Sequence, residues 1–381
     1  MPKLSLATVA PAQPLVPASA DPRARPSADP TAGRPLRIAD VTLFYGERSG
    51  GIRTYLEAKA AFATRTGAFE HHLVVPQELR SLRVVASNGY RVPLGSSGLC
   101  AALRELHPDV VLLHDPYWTP RLATRVAHEL GATVIAVHHS SVALHAAGLP
   151  GPEGVYTKAL QRWYRRAYRD VDAVMSVVDP TADGDRASTL PLRLGLDPAF
   201  HPDLGVGRGE HVLYVGRLSR EKGLRELLEA AAAARQRWPL VLLGTGPAGD
   251  TLRERARQLG LGKRIRFTPY LEDRDSLARA YAGARCVVLP GPHETFGLVA
   301  LEAAACGVPV VTAETTPSAS LIRDSVETFR AGDATDLLGA IERARLRDPD
   351  PLAARLLVER HSWEAAIEAE LVDLRRLLAE R

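Results

Sequence analysis

Short apolar runs alternate with longer helix-patterned stretches along most of this chain, and that alternation limits its fold more than any other feature. The first half offers LRIADVTLFYG, HHLVVP, DVVLLHD, TVIAVHH and DAVMSVV; the second offers HVLYVGRL, PLVLLGTG, RIRFTPYL, CVVLPG and VPVVTA. Between them lie stretches such as EKGLRELLEAAAAARQR and AGDTLRERARQLG, with apolar residues at helical spacing. Strands this uniformly apolar have no polar face to turn to water, so they belong in parallel sheets covered by helices on both sides. Two such sets predict an α/β protein of two Rossmann-like, doubly wound domains, in keeping with 381 residues. The Pro/Gly-rich stretch LGLDPAFHPDLGVGRGE, residues 194–210, joins them. The expected organisation is a disordered Pro/Ala-rich tail over 1–34, a first domain over 35–200 and a second over 201–360. Residues 361–381 read as an amphipathic helix packing back toward the first domain. In such sheets ligands bind beyond the carboxyl ends of the strands, so those ends are where function is sought.

Composition narrows the partners. The net charge of +4 arises in residues 1–200, which hold 22 Lys and Arg against 18 Asp and Glu. That excess is too slight for a nucleic-acid-binding protein. The three cysteines, Cys100, Cys286 and Cys306, are widely spaced, and two sit in apolar contexts, which predicts buried thiols in a reducing compartment. No apolar run approaches the roughly 18 residues of a membrane-spanning helix. The first twenty residues, MPKLSLATVAPAQPLVPASA, are too broken by proline for a secretory signal. A cytoplasmic protein is expected. The stretch YTKALQRWYRRAYRD carries Lys158, Arg165, Arg166 and Arg169 with Trp163 and Tyr164. It reads as the solvated face of a helix, or as a peripheral contact with the inner face of the cytoplasmic membrane.

Three strand ends in the second half carry candidate chemistry. After HVLYV come Gly216 and Arg217, then Lys222 and Gly223 where a helix pattern begins. Two cations beside a helix N-terminus can converge on one anion, a diphosphate in outline; alternatively both are solvated surface residues. After PLVLL come Gly244, Thr245 and Gly246, a small-residue turn that permits close approach of a ligand or is simply tight. After CVVLP comes HETFGLVALE, with Glu294 in a loop and Glu302 about two turns into a helix. A loop carboxylate can accept hydrogen bonds from sugar hydroxyls, and a helix carboxylate can hold a vicinal diol such as that of ribose. The amides of Phe296, Gly297 and Leu298, unpaired at a helix start, lie between. Glu302 stands in an apolar run, so it needs a partner, and a plain salt bridge is the competing explanation.

The segments VGRLSREKGL, LLGTGP and HETFGLVALEAAACGVPVV, in this order and spacing, resemble the retaining nucleotide-sugar glycosyltransferases of family 4, which have the GT-B fold. The resemblance runs over the chain after residue 35. It implies two Rossmann-like domains facing across a cleft, with a C-terminal helix crossing back. It also implies roles: Glu294 contacts the donor hexose, Glu302 the ribose, and Arg217 and Lys222 hold the diphosphate as it leaves. Gly216, Gly244, Thr245, Gly246, Thr295, Phe296, Gly297 and Leu298 would border the donor, and Tyr270 and Leu271 would meet the base. In the first half, YGERSGGIRTYLEA places Gly50 and Gly51 where the family has a glycine loop near the diphosphate. His138, after strand 133–137, would lie by the reacting carbon, or its neighbour His139 would take that part. In LLHDPYWTP, His114, Asp115, Tyr117 and Trp118 would line the acceptor side, or form a packed loop.

The sequence departs from the family pattern in places. PGPHE stands where Pro-Ser or Pro-Thr often precedes the first glutamate, and AETTPSAS replaces a Gly-rich turn that often borders the donor sugar. Pro269 stands for a common glycine, and Leu194-Gly195 for Asn-Gly. The implied reaction is a retaining transfer of a hexose from a UDP- or GDP-linked donor to a hydroxyl of a glycolipid, polysaccharide or small acceptor. No metal and no cofactor beyond the donor are expected. The D-x-D triplets Asp183/Asp185, Asp273/Asp275 and Asp348/Asp350 read as surface acids. The rivals are a nucleotide-sugar epimerase, a pyridoxal-phosphate-dependent glycoside phosphorylase, and a binding scaffold without turnover.

Overall fold

A computed structural model describes residues 33–46, 51–76, 81–85, 90–93, 95–118, 120–139, 142, 146, 153–177, 188–292, 294 and 296–380. Most of the expected N-terminal tail, Gly50, Thr295 and the Asp183/Asp185 pair lie outside these residues. The chain forms two compact units. The first takes residues up to His138, Tyr164–Arg193 and Ile367–Arg381; the second takes His139–Trp163 and Leu194–Ala366.

The first unit is built on a six-stranded sheet of β1 (Leu36–Val41), β2 (Phe69–Val74), β5 (Val110–Leu113), β6 (Thr133–His138), β7 (Ala173–Ser176) and β8 (Ser188–Pro191). Its order is β2-β1-β5-β6-β7-β8 and every pairing is parallel. A separate antiparallel pair joins β3 (Ser81–Val85) to β4 (Tyr90–Pro93). The second unit holds β9 (Val212–Val215), β10 (Leu240–Leu243), β11 (Ile265–Thr268), β12 (Cys286–Leu289), β13 (Val310–Ala313) and β14 (Val326–Phe329). Its order, β11-β10-β9-β12-β13-β14, is again wholly parallel. The strand sequence reverses direction between β9 and β12, and that switch point is where a doubly wound sheet opens a ligand crevice.

The central strands behave as their composition requires. β9, β10, β12 and β13 are buried at every position. One apolar layer, with Tyr214, Leu227, Trp238 and Leu242, covers one face of the second sheet, and another, with Phe200, Leu277, Tyr281 and Leu301, covers the other. β8 and β14 escaped the reading of apolar runs for a physical reason. Both are outermost in their sheets; β8 is largely exposed and β14 fully buries only Phe329, so STLP and VETF need no continuous apolar face.

The first unit also buries a cluster of charges. Asp40 on β1 and Lys59 on the helix Gly51–Thr66 are fully buried, and Glu370 on the C-terminal helix Trp363–Ala379 is nearly so. Lys59 Nζ lies 3.2 Å from Asp40 Oδ2 and 2.8 Å from Glu370 Oε1. The Tyr55 hydroxyl donates to Glu370 Oε2 at 2.6 Å. His114 Nε2 and His71 Nε2 lie 2.6 and 2.7 Å from the two Asp40 oxygens. Burial works against the charge of Asp40, yet Lys59 and the two histidines hold its carboxyl well below the usual range. Burial likewise works against the Lys59 ammonium, and Asp40 and Glu370 keep it charged. One lysine thus ties β1 to the C-terminal helix. Lys59→Met strands two buried carboxylates, and we expect it to cost about 3–5 kcal/mol, read as a lower urea midpoint.

Candidate functional site

The site grows from three adjacent strand ends of the second sheet. β9 ends at Val215, and Gly216 and Arg217 follow, with the Arg217 carbonyl accepting a 2.8 Å hydrogen bond from the Tyr214 hydroxyl. The chain then makes a short 3-10 turn, Arg220–Lys222, and enters the helix Leu224–Ala233 through Gly223. Gly223 has φ 64°, and a Cβ there would stand 2.2 Å from the Pro290 carbonyl oxygen in the loop after β12. Gly244, after β10, has φ 154°, and a Cβ would stand 1.9 Å from the Gly216 carbonyl oxygen. Neither contact tolerates a side chain, because the obstacle is backbone. Leu218 N–H donates to Thr245 O at 2.9 Å, which joins the β9 and β10 loops directly.

This junction brings Lys222 and Glu294 together. Lys222 Nζ donates to Glu294 Oε1 and Oε2 at 2.8 and 3.0 Å, with the two side chains 21% and 14% exposed. Arg217 is exposed on the same loop as Lys222, and its guanidinium has no partner among the described residues. The helix Leu298–Ala305 starts at Gly297, whose φ is 86°. The N–H groups of Phe296, Gly297 and Leu298 make no backbone hydrogen bond among the described residues, as expected at a helix start. Cation, carboxylate and unpaired amides therefore share one strand-end region at the β9/β12 switch.

Glu302 sits one turn further along that helix. Its Oε2 accepts a 2.8 Å hydrogen bond from the buried Tyr281 hydroxyl, and its Oε1 lies 3.8 Å from Arg274 Nη1. Burial pushes its carboxyl up to about 7, against the pull of the Tyr281 hydrogen bond and Arg274. The salt-bridge explanation is thus met only at the limit of contact, and the close partner is a phenol. The sequence reading missed Tyr281 and Arg274. The signal was present in the need of an apolar-run glutamate for a partner, but nothing in RDSLARAYAGARC marks which residue supplies it.

Other expected residues fall as follows. Thr245, Gly246 and Tyr270 are exposed and Leu271 half-buried, at the ends of β10 and β11. In the first unit, His138 is the last residue of β6, with its ring 5.6 Å from that of Tyr164 and 5.4 Å from that of Tyr168. His139 follows it, and Gly51 opens the helix Gly51–Thr66 as an exposed residue. Of the four residues in LLHDPYWTP, three are occupied by the fold. His114 is held by Asp40. Asp115 accepts the amides of Leu43, Tyr117 and Trp118 at 2.7, 3.0 and 3.2 Å. Trp118 is buried, while Tyr117 is 42% exposed. His114, Asp115 and Trp118 are buried, and Tyr117 is the exposed member of the group.

Asp273 and Asp350 each cap a helix, accepting the amides of Ser276 and Ala353. Among the described residues no group of three or more His, Cys, Asp or Glu gathers as for a metal ion. Among them, too, no helix is long and apolar enough to cross a membrane.

Two facing facts define the class: a pair of wholly parallel doubly wound sheets, and cations with carboxylates at the switch point of the second. Solved structures share this fold. A sucrose-phosphate synthase from Thermosynechococcus elongatus superposes with a TM-score of 0.70 at 21% identity, over 91% of this chain and 100% of its own. Anabaena HepE in complex with UDP does so with a TM-score of 0.67 at 15% identity, over 89% and 99%. The family model of glycosyl transferases group 1 matches residues 200–356, and that of glycosyltransferase family 4 matches residues 41–185. The GDP-mannose-dependent alpha-(1-6)-phosphatidylinositol dimannoside mannosyltransferase of Mycobacterium tuberculosis is 30% identical over 377 residues, 89% of this chain and 96% of that protein. The D-inositol 3-phosphate glycosyltransferase of Salinispora tropica is 41% identical over 213 residues, 51% of this chain and 42% of that protein. The chain belongs to the group 1, family 4 glycosyltransferases of GT-B fold, and it is a glycosyltransferase.

The Glu302 carboxyl sets a pH signature on stability. Its folded value, about 7, stands above the ordinary 4.5, so the folded state holds that proton more tightly. The stabilisation this gives is complete below the ordinary value and is lost as pH rises through about 7. Glu302→Gln cannot ionise. It is expected to match the parent at pH 4 and to exceed it at pH 8 by up to about 3 kcal/mol, measured by urea unfolding at both pH values.

Proposed function

We propose that the chain is a retaining hexosyltransferase that uses a nucleoside-diphosphate hexose and needs no metal ion. The observation that carries this is the contact of Lys222 with Glu294 at the β9/β12 switch point, with exposed Arg217 on the loop of Lys222 and a helix start at Gly297 three residues after Glu294. A diphosphate placed there meets Arg217 and the helix-start amides directly and competes with Glu294 for the Lys222 ammonium. Glu294, relieved of that charge, is then available to the hexose hydroxyls, and Glu302 to the ribose. Tyr270 and Leu271 border the base.

In the reaction the bond from the anomeric carbon to the diphosphate oxygen breaks, and its electron pair stays on the diphosphate. Arg217, Lys222 and the amides of Phe296, Gly297 and Leu298 stabilise the charge that develops there. The acceptor oxygen bonds the anomeric carbon on the face the diphosphate leaves, and its proton passes to a diphosphate oxygen. Because the protein supplies the cations, the step makes no demand for a metal.

The similarity to a GDP-mannose-dependent enzyme makes GDP-mannose the first donor to test. A lipid-borne acceptor is supported by the helix Glu153–Ala167, where Lys158, Arg162, Arg165 and Arg166 are exposed beside Trp163 and Val155. Each basic residue near an anionic leaflet contributes about 1 kcal/mol.

The test is transfer from GDP-mannose and UDP-glucose in the presence of EDTA, with the anomeric configuration of the product read by NMR. Retention of configuration without metal is expected; inversion, or activity only with added metal, overturns the reading. Arg217 is exposed and unpartnered, so Arg217→Gln leaves the fold intact. We expect it to lower kcat by roughly 100-fold or more.

A further inference from the structure

Tyr281 reaches Glu302 from a neighbouring helix. It lies on the helix Arg274–Ala282, is fully buried, and packs edge-on against Phe200 with ring centroids 5.8 Å apart. A tyrosine wholly inside an apolar layer needs a hydrogen-bond acceptor, and here the acceptor is a carboxylate oxygen at 2.8 Å. Arg274, at the start of the same helix, stands near the other oxygen at 3.8 Å. One helix therefore approaches both oxygens of Glu302.

We propose that Tyr281, helped by Arg274, is a positioning residue for Glu302: it fixes the carboxylate and keeps it ionised, so that Oε1 is presented to the ribose hydroxyls of the donor. This rests on the ribose role proposed for Glu302. A carboxylate accepts hydrogen bonds from both hydroxyls of a diol, whereas a carboxylic acid has one acceptor position fewer and must place a proton. Burial works to protonate Glu302 near neutral pH, and the phenol hydrogen bond and the guanidinium oppose it. The other groups facing it push toward protonation or carry no cation. Asp197 raises the carboxyl further, Tyr270 is a neutral phenol pushed up by burial and by Glu302, and the Cys306 thiol, pushed up to about 12 by burial, stays neutral. Among the groups that act on Glu302, Tyr281 and Arg274 are those that favour its ionised form.

The experiment compares binding of GDP with 2′-deoxy-GDP to the full chain by calorimetry from pH 6 to 9, with UDP and 2′-deoxy-UDP in parallel. In the parent, the preference for the ribonucleotide is expected to be full at high pH and to fade as pH falls through about 7. Tyr281→Phe removes a hydrogen bond to a charged group and should move that midpoint up by about one pH unit. Arg274→Gln, at a half-exposed position, should move it the same way by less. It decides the matter should Tyr281→Phe fail to fold. Glu302→Ala should abolish the preference at every pH. If Glu302→Ala abolishes it but neither other variant moves the midpoint, Tyr281 is a packing residue and the inference fails alone. If Glu302→Ala keeps the preference, or no nucleotide binds, the ribose reading fails and takes the inference with it.

Discussion

The second unit depends on two backbone contacts that no side chain could survive. Gly223 lies against the Pro290 carbonyl and Gly244 against the Gly216 carbonyl, each within a distance that a Cβ would halve or worse. Both residues also hold positive φ, which an L side chain resists. These two contacts close the loops after β9, β10 and β12 onto one another. Without them Lys222 and Glu294, separated by 72 positions, have no reason to meet. The order of the sheet does the rest, because β9 and β12 are neighbours with helices leaving to opposite sides.

The two units handle buried charge differently. In the first, Lys59 stands between Asp40 and Glu370 with Tyr55, His114 and His71 around it, so the charges are compensated and the arrangement is structural. In the second, Glu302 is buried beside a neutral phenol and a cation at arm's length. Such a carboxyl makes the fold less stable than a neutral residue would, and stability surrendered at a defined place is commonly the mark of a site. The same residue types thus carry opposite meanings, and the difference lies in how completely each charge is answered.

Much of this was legible beforehand. Uniformly apolar strands with helical stretches between them gave away both doubly wound sheets, and the motifs around Arg217, Lys222, Glu294 and Glu302 gave away the family. What escaped was of two kinds. The outer strands β8 and β14 pack mainly on one side, so their composition carries no continuous apolar signal. Partnerships between distant residues, such as Lys222 with Glu294 or Tyr281 with Glu302, depend on loop closure that single-residue patterns do not encode. The same holds in LLHDPYWTP, where His114 meets Asp40 on β1 and Asp115 accepts the amide of Leu43 just beyond it, each more than 70 positions away.

The segment after β13 shows how a departure from the family pattern can still serve the site. Where relatives of this pattern have a Gly-rich turn, this chain has AETTPSAS, and its hydroxyls point back at the loop that carries Glu294. Thr315 Oγ1 donates to Pro292 O at 2.9 Å, Ser318 N–H to Phe296 O at 2.9 Å, and Ser318 Oγ to Gly297 O at 3.1 Å. The carbonyls of Pro292, Phe296 and Gly297 are thereby occupied. Glycine has a backbone N–H but no hydroxyl, so a Gly-rich turn could keep the bond to Phe296 O but not those to the Pro292 and Gly297 carbonyls. Here, instead, the Thr315 and Ser318 hydroxyls hold the carbonyls of Pro292 and Gly297, which flank Glu294 in the sequence. These contacts lie at described residues on either side of Glu294, and what they fix there a ligand need not fix on binding.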